Sequence, residues 1–168
     1  MTLELPDRQH WQAAIGYVEL GMFLDADAEL DKIDPLNRGA PEVLAVRVET
    51  YAGLEKWELM QAMAQRLTEY DPKNVQWWIS LAYATRRTES IDAARSILIQ
   101  ALKSHPEEPM INYNLACYEC QLGNLPAAKQ DLMWATKADA KFKLMALDDP
   151  DLEPLWAEIE RIEISDAD

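Results

Sequence analysis

Apolar residues along this chain recur at helical intervals, and the alternating runs of Val, Ile and Thr that mark strands are missing. Ala, Leu, Glu, Gln, Lys and Met dominate instead, residues that lose little side-chain freedom in a helix. The pattern predicts an all-helical protein. The stretch from Trp77 to Pro106 shows its unit, with two tryptophans at the head, alanines at tight intervals and a closing proline. Gly123 and Asn124 suit a sharp turn between two helices, and Pro72 and Pro106 end helices because proline lacks an amide hydrogen.

The unit recurs. From Ala94 to Ala128 is 34 residues (128 − 94), and Leu81 to Leu115, Ile91 to Leu125, Leu98 to Leu132 and Ala101 to Ala135 keep the same offset. One step back, Pro106 returns at Pro72, Trp78 at Leu44, Ile91 at Trp57, Ala94 at Met60 and Ala101 at Leu67. A further step sets Tyr17 under Tyr51, Phe23 under Trp57 and Ala26 under Met60.

This period and these residues resemble the tetratricopeptide repeat (TPR), whose signature is W-x2-L-G-x2-Y, then A-x3-F, then P. The fullest copy is Trp78, Leu81, Ala82, Ala94, Leu98, Ala101 and Pro106, with Thr85 where the family prefers Tyr. The copy from Pro109 keeps Tyr113 to Ala116, the turn from Leu122 to Ala128, Leu132 and Ala135, with Ala140 in place of the closing proline. The copy from Pro41 keeps Tyr51, Trp57 and Pro72 but has Arg47 at the usual Leu and Met60 at the usual Ala. The copy from Asp7 is the most degenerate, and its second helix is expected to stop near Asp34 because Pro35 follows.

The resemblance implies an all-α fold, a right-handed superhelical solenoid of antiparallel helix pairs forming a single domain over residues 1–168. Its repeats are expected near 7–40, 41–74, 75–108 and 109–142, with a C-terminal capping segment at 143–164. Small residues such as Ala82 and Ala116 let paired helices lie close, while Trp78, Leu81, Leu98, Leu115 and Leu132 fill the core. The capping segment has a short helix around Lys141–Asp149, then acidic residues and prolines leading to Leu155, Trp156, Ile159 and Ile162 at helical intervals.

Composition narrows function by exclusion. The 168 residues carry 30 Asp and Glu against 16 Lys and Arg, a formal net charge of −14. Nucleic acid and anionic lipid require clustered cations, so neither is an expected partner. The N-terminus lacks a basic segment followed by an apolar run, and no window is long and uncharged enough for a membrane span; a cytoplasmic protein is expected. Only two cysteines are present, which suits a reducing compartment.

Catalytic chemistry finds little support. Cys117 and Cys120 spell C-x-x-C, but inside a helix and not at a helix start after a strand, where thiolate is stabilised. His10 and His105, the sole histidines, have no ligand spacing to these cysteines. The acidic run Asp148, Asp149, Asp151 and Glu153 lacks the glycine-bearing loop of an EF-hand and reads as helix capping. No phosphate loop or nucleophile elbow occurs. No enzyme activity, cofactor or metal is expected.

In the TPR family, ligands lie on the concave surface lined by the first helix of each repeat. Carried onto this chain, that implies Trp11, Gln12 and Ile15, then Ala45, Val46 and Glu49, then Ile79, Ser80, Tyr83, Arg86 and Arg87, then Met110, Tyr113, Asn114, Cys117 and Gln121. Within this set Ile79, Tyr83, Arg86, Arg87, Met110, Tyr113, Asn114, Cys117 and Gln121 are the expected partner-binding residues. Tyrosine offers contact area with a hydroxyl, and arginine grips a carboxylate through two hydrogen bonds. In a chain this acidic, the two arginines either bind an acidic or carboxylate-bearing partner or pair with local carboxylates such as Glu89 or Glu119.

The family's clamp of Lys, Asn and Arg for chaperone C-termini is not reproduced, since Ala45, Glu49, Ser80, Met110 and Asn114 occupy its positions and only Asn114 is of the right type. The expected function is therefore a protein-binding adaptor that takes a peptide or protein segment in its groove. The alternatives are a self-associating scaffold or homodimer, joined through Trp11, Ile15 and Phe23, and a small chaperone resembling those of type III secretion.

Overall fold

Turn chemistry repeats with the helices. A computed structural model describes residues 3–159, and their contacts gather into two compact units divided between Thr88 and Glu89. Among the described residues every regular element is helical. The division separates the two helices of the third copy.

The first unit holds α1 (Asp7–Glu19), α2 (Phe23–Leu30), α3 (Pro41–Gly53), α4 (Trp57–Tyr70) and α5 (Val75–Thr88), each packed on the next. Its opening helices share a core of Ala14, Ala26, Leu30, Ile33, Val43 and Val46. Trp11 and Ile15 pack against that core, and the Trp11 indole donates to the Glu42 carbonyl at 3.0 Å. Phe23 lies on Gly53, where an added Cβ would stand 2.4 Å from its ring. The three residues expected to drive self-association are thus employed within the unit. Helix α2 ends at Leu30, short of the expected Asp34, because other groups take over its backbone: Arg38 donates to the carbonyls of Asp31 (2.5 Å) and Ile33 (2.7 Å). The loop that follows is tied to α1 by Asp7, which accepts from the Asp34 amide at 3.0 Å and the Asn37 side chain at 2.7 Å.

Arg47 explains how a cation sits at a core position. Its guanidinium donates to Asp31 at 2.8 Å, to Asp27 and the Leu30 carbonyl at 3.2 Å, and to the Tyr51 hydroxyl at 2.7 Å. A buried charge is tolerable when its donors are satisfied in this way, and the end of α2 supplies the carbonyl. Thr85, at the family's Tyr position, is buried and accepts from Gln61 at 3.1 Å while donating to the Leu81 carbonyl at 2.8 Å. Trp78 is only partly buried and sends its indole to the Pro72 carbonyl at 2.9 Å, so it closes the end of a helix more than it fills a core.

The second unit holds α6 (Ile91–Ser104), α7 (Pro109–Gln121), α8 (Leu125–Ala138), α9 (Lys141–Asp148), a 3-10 segment (Pro150–Leu155) and α10 (Trp156–Ile159). Ser90 caps α6 by accepting from the Ala93 amide at 3.1 Å. Ala94, Leu98, Ala101, Ala128, Leu132 and Ala135 are buried, the small-and-large order expected of the repeat. The prolines turn the start of the expected capping helix into the 3-10 segment, which buries Leu152 and Leu155, and α10 buries Ile159. Trp156 donates to the Ala146 carbonyl at 2.8 Å. Ile162 and the end of the capping segment fall outside the described residues.

Turns α1–α2, α3–α4 and α7–α8 each span three residues whose middle one has positive φ: Gly21 at 70°, Glu55 at 55° and Gly123 at 79°. These positions are one and two repeat lengths apart (55 − 21 = 34; 123 − 55 = 68). The period thus governs the backbone as well as the side chains.

Candidate functional site

Helix α5 buries Ser80, Leu81, Ala82, Ala84 and Thr85, which turns Ile79, Tyr83 and Arg87 away from that core. Thr88 reinforces the docking on α4 through the Gln61 side chain at 2.8 Å. Tyr83 is 38% exposed, and Trp57, the first residue of α4, meets it edge-on with ring centroids 5.8 Å apart. The Arg87 guanidinium carbon lies 3.6 Å from the Tyr83 ring centroid and 4.7 Å from that of Trp57, and Nη1 donates to the Tyr83 carbonyl at 3.1 Å. A guanidinium stacked on rings keeps donors along its edge, the geometry that receives a carboxylate. Arg86, partly buried on the same helix, is engaged in an interaction of its own.

Helix α7 presents a different surface. Tyr113 and Cys117 are 5% and 4% exposed, covered by the segment after α9. The Tyr113 hydroxyl donates to Asp149 Oδ2 at 2.9 Å, the Cys117 thiol lies 3.4 Å from the same oxygen, and Gln121 Nε2 donates to the Asp151 carbonyl at 3.1 Å. Tyr113 also packs on Phe142, with ring centroids 5.4 Å apart. Asn114 turns back on its own helix, donating to the Met110 carbonyl at 2.8 Å, and Met110 is partly buried. Burial pushes the ionisation of the Tyr113 phenol and the Cys120 thiol upward, and the Asp149 and Asp151 carboxylates add to both. Both cysteines are buried thiols outside any disulfide.

Asp149 does the expected capping, accepting from the Asp151 amide at 3.0 Å, and its second oxygen anchors the segment to α7. Trp57 and Asp149 are the residues that sequence reasoning did not place in a site. Trp57 had a signal only as a repeat position, shared with Phe23 and Ile91, and Asp149 only as part of an acidic run. Glu119 is buried in the second unit, bonded to Arg95 and accepting from Asn124 at 3.0 Å. Among the described residues no three His, Cys, Asp or Glu side chains converge as metal ligands, and no helix is long and apolar enough to cross a membrane.

No protein-family model matches the chain, and no curated protein matches it. Solved structures do. "MamA RS-1 ArsTM double mutant" superposes with a TM-score of 0.72 at 14% identity, over 81% of this chain and 76% of that one. A MamA MSR-1 structure gives 0.70 at 20% identity, over 82% and 79% of the two chains. A MamA AMB-1 structure gives 0.67 at 14% identity, over 92% and 83%. MamA is a TPR protein. The chain has a TPR-type fold. At these identities the likeness concerns backbone architecture alone, so function must be argued from the surface.

Proposed function

We propose that this chain is a non-enzymatic, cytoplasmic protein–protein interaction module, an adaptor that holds an acidic segment of a protein partner on α5 through Ile79, Tyr83, Arg86 and Arg87. The observation that carries this reading is Arg87, stacked on Tyr83 and Trp57 with its charge presented beside an exposed phenol. Helix α7 supports the ligand chemistry. There the chain's own segment brings an Asp carboxylate to Tyr113 and a backbone carbonyl to Gln121, the pair of contacts an extended acidic peptide offers.

The test is co-purification from native lysate with wild type and Arg87→Glu, matched for helical circular dichroism. Charge reversal is expected to abolish capture of the specific partner. Equal recovery by both proteins would sink the α5 site.

A second reading rests on the α1–α2 turn, where Leu20 and Leu24 are each 72% exposed and Met22 is 42% exposed. That apolar patch favours self-association over its original candidates, Trp11, Ile15 and Phe23. Solution mass rising with concentration, and falling back in Leu24→Glu, is the outcome that reading requires.

A further inference from the structure

One cavity of the first unit, of about 630 Å³, brings three arginines together. It opens between the loop after α2 and the helices α3 and α4, with Arg38, Arg47 and Arg66 in its wall and Leu44, Tyr51 and Met63 beside them. The three charges are not equivalent. Arg47 is answered by Asp27 and Asp31. Arg38 spends its Nε and Nη2 on the neutral carbonyls of Ile33 and Asp31, so its charge is held in place without being cancelled. Arg66, among the described residues, forms no ion pair. Its guanidinium lies across the loop at Gly39, with Nη2 3.0 Å from where a Cβ would stand, so the absence of a side chain there makes room for it.

Two uncompensated guanidiniums at one concavity are a costly arrangement in isolation and an attractive one for an anion. In a chain with a formal net charge of −14, local carboxylates were abundant, yet none is spent on these two. The apolar walls define the rest of the ligand. Leu44 and Met63 flank the charges and Leu36, 90% exposed, stands at the rim, which suits an apolar side chain next to a carboxylate. Those apolar walls favour such a segment over a polyphosphate, which has nothing to place against Leu44 and Met63.

We infer that this cavity is a second binding site, which takes a carboxylate-bearing acidic peptide segment with a neighbouring apolar side chain, gripped by Arg66 and Arg38. It shares no residue with the α5 face. The two proposals therefore stand or fall separately.

The test titrates the full chain with a fluorescent eight-residue peptide of alternating Leu and Asp, following anisotropy together with the arginine side-chain resonances in nitrogen-15 NMR. Saturable binding that moves the Arg66 resonance is expected. Loss of a charge-assisted pair predicts affinity at least about tenfold weaker in Arg66→Gln, with a smaller loss in Arg66→Lys. Gly39→Ala, which keeps the charge but crowds the guanidinium, should also weaken binding, whereas Arg87→Glu should leave the Arg66 shift intact. Melting temperatures of the variants confirm that the fold is retained. The inference is overturned by absent saturation, by unchanged affinity in both Arg66→Gln and Gly39→Ala, by equal binding of the peptide with Asn for Asp, or by inorganic pyrophosphate binding more tightly than the peptide.

Discussion

Helices α5 and α7 occupy the same place in successive repeats, and their outward faces are put to different uses. Ile79, Tyr83 and Arg87 lie 34 residues before Tyr113, Cys117 and Gln121. On α7 these positions are closed by the chain's own acidic segment through Asp149 and Asp151. On α5 they carry an exposed tyrosine and a stacked arginine. One step earlier the register differs again, because Gly53 stands where α5 has Arg87 and receives Phe23 directly. A repeat thus specifies where an outward position lies, and the residue there decides whether it is packed, covered or offered.

The comparison can be broken by uncovering α7. Phe142 is 1% exposed and packs on Tyr113, so Phe142→Ala should cost about 3–5 kcal/mol in urea unfolding. Tyr83→Ala, on the open face, should cost less than about 1 kcal/mol. Equal costs would mean that the two faces do not differ in burial as described. Next in size, Asp149→Ala removes both a cap and the acceptor of the Tyr113 hydroxyl, a loss of about 1–3 kcal/mol, and should make the Cys117 thiol react faster with a thiol reagent. Unchanged reactivity would show that the segment stays in place without its anchor.

The smallest effect sharpens the contrast through charge. Where α5 has Thr85, α7 has the buried Glu119, and Asp131 lies near it. Burial, aided by Glu119 and opposed by Arg95, raises the Asp131 carboxyl from 3.8 to about 6. A raised carboxyl favours the folded state while protonated, so its contribution is present below the ordinary value and is lost as pH rises from about 4 to 6. Because Asp131 is partly exposed, Asp131→Asn should stabilise the protein at neutral pH by only about 1 kcal/mol and flatten that pH slope. Asp7 works in the opposite sense. Its hydrogen bond from Asn37, then that from Asp34, holds it below its ordinary value, so its contribution is lost as pH falls.

The helices and their period were legible because their cause is local. Ala82, Ala94, Ala116 and Ala128 recur where neighbouring helices approach, and each is fully buried. The turn at Gly123 was legible from its glycine, whereas Glu55 shows that a position with positive φ need not announce itself in that way. Arg47 was legible as a departure from the repeat, and its compensation was not. Its partners Asp27 and Asp31 lie 20 and 16 residues away, in α2 and just past its end, and that helix ends earlier than its proline suggested.

The site divides in the same way. Counting along the repeat was enough to nominate Tyr83, Arg87, Tyr113 and Cys117 as outward residues. It could not show that Tyr113 meets Asp149, 36 residues onward, or that Arg87 would choose two rings in place of a carboxylate. Amino-acid sequence alone determined the repeat, its register and the acidic character of the chain, because these depend on spacing and composition. Tertiary structure alone decided which outward faces remain open and which arginines keep an uncancelled charge, because those outcomes depend on distant segments competing for the same donors and surfaces.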